Sequence, residues 1–328
     1  MIKLSPPAFW SNPRASLWPA LLAPFSWGVG VAARRRMQRM GWRAPVPVLC
    51  CGNMTVGGTG KTTVVIDLVQ RLLARGCRPH VLTRGYGGHV PDGTRVDPAA
   101  HTAWHVGDEP LLLAALCPVW VGGDRAVSAR RAVRAGADCL IMDDGFQNPS
   151  VVKTVSLLVV DGAVGLGNGH VLPAGPLRER AVDALARADA VLMIGADQTG
   201  MAQSVGDVPV VWAHLEQSAI PEALRGRSCV AFAGIGRPEK FFNGLRGAGL
   251  SVRDALSFPD HYAYSKRDMQ RLGALAQRLD AQLVTTPKDA MRLPASFRQN
   301  VVEVGVRLVW QDQQAPESLL DTLLAQPI

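Results

Sequence analysis

Short apolar runs alternate with amphipathic stretches along most of the chain after residue 44. The apolar runs predict buried strands, and they lie at 46–51, 81–83, 119–121, 139–142 and 157–160. Helical patterns lie between several of them, at 61–74, 109–116 and 124–135. Strands that alternate with helices form mostly parallel sheets with helices on both faces. The pattern therefore predicts an α/β fold of this kind.

A second series with the same alternation begins near residue 228. It predicts strands at 229–233, 252–256, 283–286 and 301–309, with helices at 238–246 and 266–279. Between the two series, residues 196–227 have a weaker and mixed pattern, which is typical of a boundary. We therefore expect three parts: an N-terminal segment at 1–43, a larger domain at 44–215 and a smaller C-terminal α/β lobe at 216–328.

The charge of the chain is concentrated in its first fifth. The formal net charge is +8, from 35 basic and 27 acidic residues. Residues 1–66 hold eight of the basic residues and no acidic one, so the remaining basic and acidic residues balance. This distribution disfavours a uniformly basic nucleic-acid binder, and we expect no nucleic-acid partner. It favours a basic N-terminal attachment instead.

The N-terminal segment has the composition of a membrane-surface helix. Residues 17–33 carry no charge, the run Arg34–Arg36 follows directly, and four of the eight tryptophans fall within residues 1–43. A signal peptide has its charges before the apolar run, and a spanning helix needs about 20 apolar residues without such interruptions by proline and glycine. Aromatic rings and arginines favour an anionic membrane surface. The alternative is a helix packed on the protein's own core.

Cysteine spacing indicates neither a zinc site nor a disulfide framework. Six cysteines are present and none forms a CxxC pair. This usage is typical of a reduced, cytosolic compartment.

A glycine-rich loop at 52–63, GNMTVGGTGKTT, lies between a predicted strand and a predicted helix. Backbone N–H groups of such a loop, together with the helix N-terminus, bind phosphates. Lys61 can reach the β- and γ-phosphates, and the Thr62 hydroxyl can bind Mg²⁺. Thr55 departs from the usual pattern, which has glycine there. The predicted nucleotide-binding residues are Thr55, Val56, Gly57, Gly58, Thr59, Gly60, Lys61, Thr62 and Thr63.

Carboxylates and arginines elsewhere could complete a phosphoryl-transfer site. The apolar run at 139–142 ends in Asp143 and Asp144, and we expect one of them to serve Mg²⁺ and the other to bind the loop or the substrate. Asp108 precedes a predicted helix, where it could either cap the helix or accept a hydroxyl proton. Cations that could offset the transferred charge are Arg84, Arg125 and Arg178.

Together these motifs resemble the tetraacyldisaccharide 4′-kinase family of lipid A biosynthesis. The matching stretches run over nearly the whole chain: GNMTVGGTGKT (52–62), TRGYGG (83–88), VGDEP (106–110), GGDR (122–125), DDGFQ (143–147), GNGHVLPAGPLRE (167–179), AGIGRPEKFF (233–242), FPDHYAYS (258–265) and TTPKD (285–289).

The resemblance implies that ATP with Mg²⁺ donates its γ-phosphoryl group to the 4′-hydroxyl of a tetraacyl glucosamine disaccharide 1-phosphate. It implies a P-loop kinase domain at 44–215 and a monomer at the cytoplasmic face of the bacterial inner membrane. The catalytic residues that it implies are Asp108, His261, Lys61, Arg125 and Arg178. The metal-site residues that it implies are Thr62, Asp143, Asp144 and Glu109. Thr63, Tyr262 and Tyr264 depart from the residues that are commoner in the family.

Two other classes of protein remain open from the residues alone. A membrane-attached partitioning ATPase shares the GG-x-GKT loop but usually has lysine before the two glycines, where this chain has Val56. A nucleic-acid-dependent ATPase would require strong salt-dependent binding, which the balanced charge after residue 66 does not favour.

Overall fold

Thirteen strands form two sheets in the computed structural model, which describes residues 7–11 and 17–325. In chain order the strands are β1 (Val48–Gly52), β2 (Pro79–Thr83), β3 (Thr94–Arg95), β4 (Val119–Val121), β5 (Cys139–Asp143), β6 (Val155–Asp161), β7 (Ala190–Ile194), β8 (Val210–Gln217), β9 (Ser228–Ala233), β10 (Ser251–Ser257), β11 (Gln282–Thr285), β12 (Val301–Glu303) and β13 (Val306–Trp310).

Eleven α-helices accompany these strands within the same described residues. They are α1 (Trp18–Met37), α2 (Lys61–Ala74), α3 (Ala103–Val106), α4 (Asp108–Ala114), α5 (Arg125–Arg134), α6 (Ala181–Leu185), α7 (Pro238–Gly247), α8 (Lys266–Arg278), α9 (Pro287–Ala290), α10 (Ala295–Arg298) and α11 (Gln314–Ala325). Single 3₁₀ turns occur at Ala8–Trp10, Met201–Gln203 and Glu222–Leu224.

The larger sheet has nine strands in the order β13-β8-β7-β6-β1-β5-β2-β4-β3. All of its inner pairs are parallel, and only the two edge pairs, β13 with β8 and β3 with β4, are antiparallel. One apolar core covers each face, and α2 packs into one of them through Val64, Leu68 and Leu72. The predicted α/β fold with a mostly parallel sheet is confirmed.

The smaller sheet has four parallel strands in the order β10-β9-β11-β12. Its two faces have separate cores. Phe241, Phe242 and Leu245 of α7 pack on one face, and Leu272 and Ala276 of α8 pack on the other. This sheet is the second α/β lobe that the sequence predicts.

The C-terminal part of the chain returns to the larger sheet. The predicted single strand at 301–309 is wrong, because the structure divides it at Val304–Gly305 into β12 of the smaller sheet and β13 of the larger one. One core of the larger sheet buries Leu308 and Trp310 of β13 and also Leu320 and Leu323 of α11. The expected lobe at 216–328 therefore differs from the sheet arrangement, in which residues 306–325 lie with the larger sheet.

The N-terminal helix α1 presents small residues to the body of the protein. Its buried residues are Pro19, Ser26 and Gly30, and the Ser26 hydroxyl accepts a hydrogen bond from the backbone N–H of Ala174 at 3.0 Å. The large apolar side chains on and just before α1 point outward instead, at Leu17, Trp18, Leu21, Phe25 and Trp27. No described helix is both long and apolar enough to cross a membrane.

Candidate active site

The glycine-rich loop follows β1 and ends where α2 begins. Gly60, the N-cap of α2, has a φ of +84°, a backbone conformation that side-chain-bearing residues rarely adopt. A Cβ atom at Gly57 or Gly58 would meet no heavy atom within 4 Å, so the loop is open on that side. Among the described residues, the buried Thr59 hydroxyl has no hydrogen-bond partner. An open loop with an unpaired polar atom at a helix N-terminus fits an anionic ligand.

A second segment braces the loop. The Val56 N–H donates to the Pro176 carbonyl at 2.9 Å, and the Arg178 N–H donates to the Met54 carbonyl at 2.8 Å. Thr55 forms an antiparallel bridge with Leu177. The N–H of Val56, one of the predicted nucleotide-binding residues, therefore already has a partner within the protein.

Asp144 connects this loop to an arginine. Its carboxylate lies 3.5 Å from Lys61 Nζ and accepts hydrogen bonds from Arg178 Nη1 at 2.8 and 2.9 Å. Burial opposes the ionisation of Asp144, but the charges of Lys61 and Arg178 outweigh it and hold its pKa below the ordinary value. Three of the predicted site residues thus form one cluster at the loop.

Asp143 has different surroundings. It ends β5 next to Cys51 of β1, it is buried, and within the described chain its carboxylate forms no hydrogen bond or ion pair. Burial and then the nearby charge of Glu109 raise the pKa of Asp143 to about 7. Asp143 is therefore a buried carboxylate that no described side chain pairs, in contrast to Asp144.

Arg125 lies deep beside the two aspartates. Its side chain is 2% exposed, Nη1 donates to the Gly122 carbonyl, and Nε has no partner among the described residues. Burial lowers the pKa of Arg125 to about 10, against the opposing effect of Asp143 and Asp144. The guanidinium is therefore buried within electrostatic range of both aspartates.

Asp108 does not cap a helix with its side chain. Gly107 is the N-cap of α4, with a φ of +90°, and Asp108 is the first helical residue. The buried Asp108 carboxylate lies 3.2 Å from Nδ1 of His261 through both of its oxygens. It also accepts hydrogen bonds from Arg292, including one from Nε at 2.9 Å. The Asp108 side chain therefore does not cap α4 and instead contacts two residues of the second lobe.

The second lobe supplies two cations, Lys288 and Arg292, that the sequence pattern does not single out as site residues. Lys288 Nζ donates to Glu109 at 2.8 Å, and Arg292 donates to Asp108. Burial opposes ionisation of Asp108, but His261, Lys288 and Arg292 together hold its pKa well below the usual range. The TTPKD stretch, which contains Lys288, was the available signal in the sequence. Arg292 lies three residues beyond that stretch, in no quoted motif.

The donor chemistry fits Mg²⁺. The described residues contain no group of three or more His, Cys, Asp or Glu side chains arranged to hold a metal ion by themselves. Mg²⁺ is usually bound through one or two carboxylates together with substrate phosphates. The Thr62 hydroxyl at the start of α2 and the Asp143 carboxylate at the end of β5 provide oxygen donors of this kind.

A phosphate loop beside buried carboxylates, with a base candidate held by a second lobe, defines a P-loop phosphotransferase. The family model for tetraacyldisaccharide-1-P 4′-kinase matches residues 18–325. The chain belongs to this family and is a kinase that uses ATP and Mg²⁺, so the family, enzyme and cofactor predictions are confirmed.

Relatives over the full length agree with this assignment. The chain is 55% identical over 320 residues to the tetraacyldisaccharide 4′-kinase of Gluconacetobacter diazotrophicus, covering 97% of this chain and 98% of that protein. It is 52% identical over 327 residues to the enzyme of the same name from Gluconobacter oxydans, covering 98% of both. A crystal structure of LpxK from Aquifex aeolicus in complex with ATP superposes with a TM-score of 0.76 at 25% identity, covering 93% of this chain and 99% of that one.

Proposed function

We propose that Asp108 accepts the proton of the acceptor 4′-hydroxyl when this kinase transfers the γ-phosphoryl group of ATP to a tetraacyl glucosamine disaccharide 1-phosphate. The 4′-oxygen attacks the γ-phosphorus, the bond from that phosphorus to the bridging oxygen of ADP breaks, and the proton moves to the Asp108 carboxylate. The carrying observation is the buried Asp108 carboxylate, contacted by His261 and Arg292 from the second lobe.

The phosphate loop and the cations near it bind ATP, the phosphoryl donor. Lys61, the first residue of α2, would bind the β- and γ-phosphates, and Arg178 and Arg125 would offset the negative charge that spreads over the transferred group. Mg²⁺, held by Thr62 and Asp143, would neutralise the phosphates and orient them. Asp144 keeps Lys61 and Arg178 in place through its contacts at 2.8–3.5 Å.

Glu109 interacts with residues of both the larger domain and the second lobe. Its charge acts on Asp143 at the end of β5, and its carboxylate binds Lys288 of the second lobe at 2.8 Å. We assign it to the edge of the metal site, where it orients Lys288. His261, with a φ of +56°, holds its ring against Asp108 and 5.7 Å from the ring of Tyr86.

We further propose that the protein works as a monomer on the anionic cytoplasmic face of the inner membrane, without a nucleic-acid partner. Support comes from α1, whose large apolar side chains are exposed and whose last turn carries Arg34, Arg35 and Arg36. A substrate with four acyl chains stays in the bilayer, because each buried CH₂ contributes about 0.8 kcal/mol. The exposed apolar side chains of α1 would therefore place the enzyme at the membrane surface, where its substrate lies.

The test is product analysis with γ-labelled ATP, Mg²⁺ and the lipid disaccharide acceptor. The intact enzyme should move the label to the lipid, and Asp108→Asn should lower kcat by about 10²-fold or more while ATP affinity changes little. Asp138→Asn, at an exposed ion pair with Arg78, serves as the matched control and should keep full activity. Label released only as free phosphate, or normal turnover of Asp108→Asn, would contradict the proposal.

A further inference from the structure

Arg292 uses all three of its guanidinium nitrogens inside the protein. Nε and Nη2 both donate to Oδ2 of Asp108, the former at 2.9 Å. Nη1 donates to Oδ1 of Asp289 and to the Gly234 carbonyl, both at 2.8 Å. The Arg292 side chain is 5% exposed and the Asp289 side chain is fully buried. This arrangement fixes the guanidinium in one orientation.

A rigid network of the second lobe holds Asp289 in turn. Tyr264 donates its hydroxyl proton to Asp289 Oδ1 at 2.8 Å, and the Gly234 N–H donates to the same oxygen at 2.9 Å. Oδ2 of Asp289 accepts a hydrogen bond from the Thr286 hydroxyl at 2.6 Å. Asp289 is thus fully engaged, and it presents Arg292 towards the first lobe.

We propose that Arg292 is a positioning residue that sets the orientation of the Asp108 carboxylate for proton acceptance, an inference that rests on the proposed role of Asp108. Both donors of Arg292 bind Oδ2, so Oδ1 is the oxygen left to face the acceptor hydroxyl. His261 contacts both oxygens at 3.2 Å and cannot by itself distinguish them. Arg292 supplies that distinction.

The geometry requires arginine in particular. A planar guanidinium can bind Asp108 on one side and Asp289 on another at the same time, whereas a lysine ammonium is a single point of charge. A misplacement of a reacting group by about 1 Å can cost about 10²-fold in rate. Arg292→Ala should therefore lower kcat by about 10²-fold, and Arg292→Lys should recover only part of that loss. The KM for ATP should stay within about threefold, because Arg292 has no contact with the phosphate loop.

The matched control is Arg237→Ala. Arg237 also forms an ion pair between the two lobes, with Asp161, but it does not contact Asp108. If Arg292 only held the lobes together, both variants would lose kcat to a similar extent. We expect Arg237→Ala to retain kcat within about threefold. Equal losses in the two variants would overturn the proposal.

The experiment measures kcat and both KM values with full-length protein, ATP, Mg²⁺ and the lipid acceptor, for each variant and for each on an Asp108→Asn background. The Arg292→Ala loss should disappear on that background, because Arg292 acts through Asp108. Added guanidinium ion should raise the kcat of Arg292→Ala but not of Arg237→Ala. If Arg292→Ala does not fold, Arg292→Lys carries the same comparison.

The outcomes separate the inference from the proposed function. If Asp108→Asn is inactive but Arg292→Ala keeps the wild-type kcat, only the role of Arg292 is overturned. Where the alanine variant is unfolded, Arg292→Lys takes its place in this comparison. An undiminished Arg292→Ala loss on the Asp108→Asn background also overturns it. Normal turnover of Asp108→Asn overturns the proposed base, and the inference with it.

Discussion

Replacing Leu21 and Phe25 of α1 with glutamine tests whether this helix binds the membrane surface. The two side chains are one helical turn apart and are 65% and 67% exposed. Full burial of such a side chain contributes about 1.5–3 kcal/mol, so covering the exposed part of each contributes about 1–2 kcal/mol. The pair together amounts to about 2–4 kcal/mol, which corresponds to about 30-fold to 10³-fold in partitioning. Glutamine keeps the helix propensity, so the helix itself should persist.

The assay is co-sedimentation with vesicles that contain anionic lipid, at constant ionic strength. The matched control is Leu324→Gln on α11, an exposed leucine of another helix at 39% exposure, which should bind vesicles like the unaltered protein. Melting temperatures should remain similar in all three proteins, because none of the altered side chains is buried. Unchanged vesicle affinity in the double variant would refute the reasoning and would leave α1 as a helix that only packs on the protein body.

Two further predictions concern the backbone at Asp108 and the docking of α11. Gly107→Ala should lower turnover and reduce the free energy of unfolding by about 1–3 kcal/mol, because Gly107 has a φ of +90° and a Cβ atom would lie 2.9 Å from the Tyr86 carbonyl. The control is Gly28→Ala, whose added Cβ atom would meet no heavy atom within 4 Å. Equal melting temperatures for these two variants would contradict the prediction. Hydrogen bonds from Arg75 and Arg71 lower the pKa of Glu317. The stabilising contribution of the Glu317 carboxylate is therefore present at neutral pH and is lost as the pH falls below 4.5. Glu317→Gln should therefore melt at a lower temperature at pH 7, with a difference that vanishes in acid; a difference independent of pH would contradict the ion pair.

The phosphate loop and the parallel sheet could be predicted from the sequence because they depend on local signals. The apolar run before residue 52, the glycines and the helix at Lys61–Ala74 are contiguous, and the structure places that helix at the predicted residues. The two aspartates at the end of β5 follow from the same strand pattern. Local periodicity and turn chemistry indicate such elements without knowledge of any tertiary contact.

The partners of Asp108 have no such local signal: the resemblance to the family implies His261, and nothing in the sequence singles out Arg292. Arg292 lies 184 residues away along the chain, and His261 lies 153 residues away. Arg292 follows Asp289 by three residues, just beyond the end of α9, and an arginine there gives the same local pattern whether it is solvated or buried. Only the packing of the second lobe against the first shows which arginine is used.

The path of the chain between the two sheets could not be predicted from the sequence either. The run at 301–309 is apolar enough for one strand, and alternation alone does not tell which sheet a strand joins. Strand β8 arises within the region of weak pattern, because as the partner of edge strand β13 it is only partly buried.

This return of the chain explains how the second lobe is held. The chain leaves the larger sheet after β8 and re-enters it at β13, and the two crossings lie side by side, with the Ser218 N–H donating to the Gly305 carbonyl at 3.0 Å. Two adjacent crossings restrain the lobe at one edge only. Contacts elsewhere also join the lobe to the larger domain: the buried pair of Arg292 with Asp108, the pair of Lys288 with Glu109 and the half-exposed pair of Arg237 with Asp161. The ion pair between Arg292 and Asp108 therefore joins the placement of the lobe to the orientation of the base.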